Sequence, residues 1–241
     1  MRNILITGAN RGIGVELARL FATRRETNVY AGCRNPIAAV ELKRLVDDED
    51  SNLEIVGLDV VDQDSIAWCV KQISRQTDSL YALINNAGIY GGTVSAPKAS
   101  TSHFGSLEMD DMLEIFRVNS VAPLLVAQAF TNLLERSGKA RIINVSSDAG
   151  SITLRESGGG YSYGASKAAL NMISRTLAAE LRDRGIIVVS VHPGFIKTDM
   201  GGPSAPMSPS ETIPHLAALI EGVSLSNSGT FLNWDGREIL W

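Results

Sequence analysis

Residues Asn3–Thr7 (NILIT) run directly into Gly8-Ala-Asn10-Arg11-Gly12-Ile13-Gly14, after which Leu17, Leu20 and Phe21 recur with Ile13 at helical spacing. A short apolar strand, a glycine-rich turn and a helix, in that order, restrict the options severely. A strand that leads into a helix reaches its parallel neighbour only by a crossover, so the chain is committed to a covered, mostly parallel sheet. Glycines at such a turn let the main chain approach a pyrophosphate, and the following helix start offers N–H groups and a positive dipole end. The spacing is G-x-x-x-G-x-G, not the commoner G-x-G-x-x-G, so taken alone the stretch is equally compatible with a plain strand-to-helix turn.

The rest of the chain repeats the alternation. Strands are expected at Asn28–Cys33, Leu53–Leu58, Leu80–Ile84, Ala140–Ser146, Ile186–Val191 and, more weakly, Thr230–Leu232. Between them lie helical runs to about Asp47, from Asp62, over Glu108–Arg136, over the segment containing Tyr163, and over about Ser210–Gly222. The fold class that follows is α/β: one doubly wound Rossmann-type parallel sheet of about seven strands, helices on both faces, over residues 1–241 as a single domain. Residues 89–107 and 157–160 (SGGG) are expected as loops, and 201–210 (GGPSAPMSPS) as a candidate mobile lid.

The totals narrow the function classes. A formal charge of -4 over 241 residues gives no basic excess, so neither nucleic acid nor an anionic membrane is an expected partner. The longest apolar runs, such as Ile186–Val191, are too short to span a bilayer. Only Cys33 and Cys69 are present, without metal-ligand spacing, which suits a reducing compartment better than a disulfide. With Met1 leading straight into the first strand and no signal peptide, a cytoplasmic protein is expected, with no metal.

In an open sheet of this kind ligands sit beyond the carboxyl ends of the strands. The polar motifs fall there: the glycine loop, Arg34, Asp59, Asn85–Gly88, Ser147 and Pro193-Gly194. Next to them Tyr163-Gly-Ala-Ser-Lys167 places a phenol and an ammonium four residues apart on a helix, hence on one face. A nearby cation favours the phenolate, which makes Tyr163 a candidate general acid/base for a proton on an alcohol oxygen.

TGANRGIG at 7–14, Asp59, NNAG at 85–88, Asn119, INVSS at 143–147, YGASK at 163–167 and HPGFIKTDM at 192–200 together resemble the short-chain dehydrogenase/reductases, nearly end to end. KTDMGGPSAP at 197–206 and NWDGREILW at 233–241 are similar to a narrower group, the sniffer-type carbonyl reductases and their C-signal-like relatives. The resemblance implies that Tyr163 exchanges the proton, Lys167 lowers its pKa and holds the nicotinamide ribose, and Ser147 binds the substrate oxygen. Asn119 would hold a relay water. Ser147 is preferred to Ser146 because it lies three before Gly150, and Tyr163 to Tyr161 because only Tyr163 has a lysine four residues on. The same resemblance implies Gly8, Asn10, Arg11, Gly12, Ile13 and Gly14 at the pyrophosphate, and Asp59 and Val60 at the adenine. It implies Asn86, Ala87 and Gly88 at the ribose and central cofactor, and Pro193, Gly194, Ile196 and Thr198 at the nicotinamide.

The choice of dinucleotide is a matter of charge. A carboxylate after the second strand would hold a ribose 2′-hydroxyl; here that end reads Cys33-Arg34, and Arg11 lies in the glycine loop. Guanidiniums suit a phosphate, so NADP(H) is favoured over NAD(H), and with it the reduction of a ketone, aldehyde or quinone. The alternatives are an NAD(P)-linked secondary-alcohol dehydrogenase and a dinucleotide-binding signalling protein with little turnover. The Ser147–Tyr163 separation is longer than is common in the family because of residues 157–160, so that loop should bear on substrate shape. A small-molecule partner and a homodimer or homotetramer are expected; Trp241 has three possible places, over the substrate site, against a second subunit, or in the core.

Overall fold

In the computed structural model, which describes residues 1–48, 51–91 and 103–241, seven parallel strands form one sheet in the order β3-β2-β1-β4-β5-β6-β7. They are β1 (Arg2–Thr7), β2 (Thr27–Cys33), β3 (Leu53–Gly57), β4 (Ala82–Asn85), β5 (Arg141–Val145), β6 (Ile187–His192) and β7 (Phe231–Asn233). The helices are α1 (Gly12–Ala22), α2 (Val40–Val46), α3 (Gln63–Ser74), α4 (Met109–Phe116), α5 (Ala122–Arg136), α6 (Tyr161–Glu180) and α7 (Pro209–Gly222). Most of the expected 89–107 loop, residues 92–102, lies outside the described residues.

Strand residues alternate in direction, so each strand feeds two cores. Ile4, Ile6, Ile84, Val189 and Val191 meet Leu17 and Phe21 of α1 and Ile213, Leu216 and Ile220 of α7. Leu5, Leu83, Ile142 and Val188 point the other way, onto Ile66 and Ile73 of α3 and Val126, Phe130 and Leu134 of α5. Cys33 and Cys69 are buried free thiols in opposite cores, and burial pushes the Cys69 thiol up to about 12. A bond between them would need to cross the sheet.

The departures from the sequence reading are local. β4 begins at Ala82, not Leu80, because the Leu80 N–H bonds the Leu133 carbonyl at 2.8 Å. The helical run over 108–136 is α4 and α5 joined by a π turn at Arg117–Val121. By length and mean hydropathy alone, Met109–Arg136 is sufficient to cross a membrane, which the search for apolar runs did not anticipate. Its apolar stripe, however, packs under the sheet. Residues 201–210 are not uniformly irregular: α7 starts at Pro209 behind a Ser208–Glu211 capping box. The loop before it is fastened at its base, with Lys197 N–H to Met207 O at 2.8 Å and Met207 N–H to Phe195 O at 3.3 Å.

Beyond β7 the chain turns at Asp235-Gly236 and returns, Ile239 N–H bonding Phe231 O at 2.7 Å. It ends with Trp241 stacked on Phe231, ring centroids 5.7 Å apart, and with Thr153 N–H and Oγ1–H both bonding the Trp241 carbonyl. The half-buried Trp241 ring thus packs on the core residue Phe231.

Candidate active site

β1 and β4 are neighbours, while β2 and β5 continue away from them in opposite directions. This is the switch point at which a crevice opens past the strand ends. The glycine loop occupies it. Gly8 has φ +62, and a Cβ there would lie 2.9 Å from Ala87 Cα; a Cβ on Gly14 would lie 2.5 Å from both Asn86 Nδ2 and Gly8 O. The NNAG turn holds the loop in place. Thr7 Oγ1 accepts from the Asn86 and Ala87 N–H groups at 3.1 and 3.0 Å, and Asn86 Nδ2 donates to Thr7 O and Gly8 O. Asn86 therefore spends its amide on the loop, and only its main chain and Ala87-Gly88 are left to face a ligand.

No side chain caps α1, and its first turn holds no acid. Its leading N–H groups thus lack the intrahelical partners every helix start is missing, and an anion would satisfy them. Thr198 lies 3.6 Å from the Cβ position of Gly12, and Arg11 pairs with Asp199 at 3.7 Å. The 195–207 loop, with Ile196 buried and Gly194 held at φ +93 against Trp234 and Met207, thereby touches the glycine loop across the crevice. Asn10 is exposed and Ile13 half-buried at the loop's rim. At the far end Arg34 is exposed and makes no ion pair among the described residues, while Asp59 Oδ1 accepts the Val61 N–H at 3.1 Å and Val60 is buried. The glycine loop, the NNAG turn and the 195–207 loop thus meet beyond the strand ends, where the uncapped start of α1 and the exposed Arg34 guanidinium are chemically suited to phosphates.

The chemistry-bearing residues converge at the other end. Ser147 follows β5 as the N-cap of a short 3-10 turn, and its hydroxyl is close enough to the Tyr163 phenol to stabilise the phenolate. Ser146 instead faces the α6 backbone, 3.5 Å from Lys167 O, and Tyr161 is exposed. Lys167 is buried, its Nζ donating to Val145 O at 2.7 Å and lying 5.7 Å from the Tyr163 ring centroid. Burial lowers the Lys167 ammonium to about 8. It also raises the Tyr163 phenol to about 12, an effect that the Ser147 bond opposes and the Asp148 and Tyr90 charges reinforce. With nothing bound, desolvation outweighs the stabilising contacts, and Tyr163 keeps its proton at neutral pH.

Asn119 is fully buried on the π turn. Its Oδ1 accepts the Ile89 N–H at 2.8 Å, and its Nδ2 donates to Ile89 O at 2.8 Å and Ser166 Oγ at 3.0 Å. Both amide donors are committed, so the side chain clamps a loop instead of presenting itself to water. On the main chain, Pro123, four residues on in the first turn of α5, has no N–H, so the Asn119 carbonyl has no i+4 donor. A buried relay fixes α6 beneath all this, from Asn85 Nδ2 to Asn144 Oδ1 at 2.8 Å, and from Asn144 Nδ2 to Ser174 Oγ at 2.8 Å.

The sequence reading assigns no role to three participants. Tyr90 packs on Tyr163 with centroids 4.9 Å apart. Asp148 Oδ1 accepts the Ser147 hydroxyl at 3.0 Å. His192 Nδ1 accepts the Asp148 N–H at 3.2 Å, and burial lowers the imidazole pKa. Position in the fold reveals Tyr90 and Asp148, whereas His192 ends β6 and opens the HPGFIKTDM stretch.

A glycine loop on an uncapped helix, with a serine, a tyrosine and a lysine gathered at the next strand end, defines a dinucleotide-linked oxidoreductase site. The family model for short chain dehydrogenases matches residues 2–208, and the chain belongs to that family. Within it the likeness is to carbonyl reductases. The NADPH-bound carbonyl reductase from chicken fatty liver is 37% identical with a TM-score of 0.90, covering 100% of this chain and 99% of that one. Carbonyl reductase Sniffer of D. melanogaster is 32% identical with a TM-score of 0.90, covering 100% of both chains. C-signal of Myxococcus xanthus is 34% identical over 165 residues, 68% of this chain and 95% of that protein.

Proposed function

We propose that this protein is an NADPH-dependent carbonyl reductase that converts a ketone, aldehyde or quinone to the alcohol. The observation that carries the reading is geometric: the Tyr163 phenol lies beside the Ser147 hydroxyl, with Lys167 Nζ 5.7 Å from the centroid of its ring. A phenol that keeps its proton at neutral pH is set to give one, the role required when a carbonyl is reduced. NADPH, when bound, supplies the hydride to the carbonyl carbon.

The chain's own residues handle the oxygen. Ser147, its hydroxyl turned from Asp148 to the substrate, donates a hydrogen bond to it, which polarises the carbonyl and offsets the charge that develops there. Tyr163 then delivers its proton to that oxygen. Lys167, charged and buried within reach of the phenol, stabilises the phenolate left behind, and the phenolate in turn draws the ammonium's pKa back up. Reprotonation of Tyr163 runs through water held at the Asn119 main-chain carbonyl. Arg34, with no acid at the end of β2 to oppose it, holds the 2′-phosphate and sets the preference for NADPH. The likeness to the NADPH-bound chicken enzyme supports the same choice. The protein acts in the cytoplasm without a membrane or nucleic-acid partner, as a homodimer or homotetramer paired through the helices that carry Asn119 and Tyr163.

The test is consumption of NADPH and NADH in parallel against small ketones, aldehydes and quinones. Turnover with NADPH that falls at least a thousandfold in Tyr163→Phe, with NADPH binding retained, is the expected result. NADPH binding without turnover of any carbonyl would move the protein to alcohol oxidation or to a regulatory role.

A further inference from the structure

A cavity of about 340 Å³ opens beside Tyr90, the ring that packs on Tyr163, and is lined also by His103, Arg155, Ser157 and the glycines at 158–160. Its volume lies at the lower end of what small-molecule sites enclose. The charges in its wall are one-sided. Arg155 carries a permanent positive charge, His103 and Ser157 offer polar donors, and no carboxylate lines the cavity among the described residues.

The guanidinium is held, not free to wander. Gly159 and Gly160 both take positive φ, +82 and +58, which curls the loop so that Arg155 Nη2 donates to the Gly159 carbonyl. Arg155 Nη1 lies 4.0 Å from the Cβ position of Gly164, the residue next to Tyr163 on α6. One bond to the loop leaves most of the five guanidinium donors available, in a fork that matches a carboxylate.

We propose that this cavity is an anion-binding subsite of the active site, and that the preferred substrates are carbonyl compounds bearing a carboxylate, seated on Arg155 while the carbonyl faces Tyr163. The proposal rests on the carbonyl reductase reading and names the substrate class for it. It also gives a purpose to the longer Ser147–Tyr163 connection: the extra residues build the wall that carries the cation.

The test compares 4-formylbenzoate with its methyl ester, at equal NADPH, for the wild type and for Arg155→Gln, Arg155→Lys and Arg155→Glu. The wild type is expected to favour the carboxylate by about tenfold in kcat/KM, mostly through KM, the size of effect one charge-assisted pair supplies. Arg155→Gln should abolish that ratio, Arg155→Lys should keep part of it, and Arg155→Glu should invert it, while turnover of the ester stays within about twofold throughout. In parallel, calorimetry of the NADPH-loaded protein with terephthalate, which has no reducible carbonyl, should show binding that Arg155→Gln loses. Equal kcat/KM for acid and ester in the wild type, or a ratio unchanged in Arg155→Gln, overturns the subsite and leaves the reductase standing. Terephthalate binding that depends on Arg155, with no turnover of either aldehyde, supports the subsite and sinks the reductase reading instead.

Discussion

Gly150→Ala should damage the proposed catalytic centre without replacing any group that takes part in chemistry. Gly150 ends the short turn that begins at Ser147, and it lies flat against α6. A Cβ there would fall 2.7 Å from the Lys167 carbonyl carbon, 2.8 Å from Lys167 Cβ and 2.9 Å from Ala168 N. Two of those atoms are helix backbone and cannot swing aside as a side-chain tip would. Restoring ordinary van der Waals separation takes a displacement of roughly 0.7–1 Å between the turn and the helix, and a gap of that size opened elsewhere forfeits about a quarter to a half of each contact's dispersion attraction. The relay from Asn85 through Asn144 to Ser174 pins the middle of α6, so the strain concentrates at its first two turns, where Tyr163 and Lys167 stand.

Overpacking of this kind costs about 1–3 kcal/mol, which for a chain of this size lowers the melting temperature by roughly 2–9 °C. A misplacement approaching 1 Å between Ser147 and Tyr163 costs about a hundredfold in kcat. Binding of NADPH should weaken far less, since the glycine loop lies on the other side of the crevice. Differential scanning fluorimetry, fluorescence titration with NADPH and steady-state kinetics measure the three quantities. A Gly150→Ala protein with the wild-type melting temperature and kcat would refute the claim that close approach of the turn to α6 sets the Ser147–Tyr163 geometry.

Other perturbations separate the remaining roles. Arg34→Asp should raise the Kd for NADPH by ten- to a hundredfold and leave or improve that for NADH, read by equilibrium fluorescence without any substrate; equal losses for both would remove Arg34 from phosphate recognition. Lys167 has a folded pKa of about 8 against an unfolded value near 10.5, so the unfolded state binds more protons between those limits and the unliganded protein should become more stable as pH rises from about 8 to 10, by at most roughly 3 kcal/mol. Above pH 10 the raised Tyr163 pKa acts in the opposite sense, because the unfolded phenol ionises first; Lys167→Met should flatten the lower part of the curve, and an unchanged profile would count against burial as the cause. Asn119→Ala should leave the Ile89 N–H and carbonyl without partners and cost about 2–4 kcal/mol in urea unfolding, whereas a near-neutral result would mean that the clamp is not needed.

How far the sequence could be read depended on whether a signal was local. The glycine loop, the strand count and the Tyr163–Lys167 pair are local: spacing along a strand or helix states which residues share a face, and the sheet order then brings the strand ends together. Ser147 could be chosen over Ser146 from its offset to Gly150, and the structure supplies the reason for the offset, since only a glycine at 150 lets the turn lie on α6. Tyr90 and Arg155 were not legible in this way. Tyr90 reaches Tyr163 only by the path of the chain after β4, and Arg155 is placed near Gly164 only by two left-handed glycines that fold 157–160 back on it. Asn119 shows the intermediate case. Its position was recognisable, but not that its side chain would be occupied as a clamp between Ile89 and Ser166. Pro123 stands in the first turn of α5, where a missing N–H is tolerated, and it leaves the Asn119 carbonyl without an i+4 donor at the π turn that packs against α6.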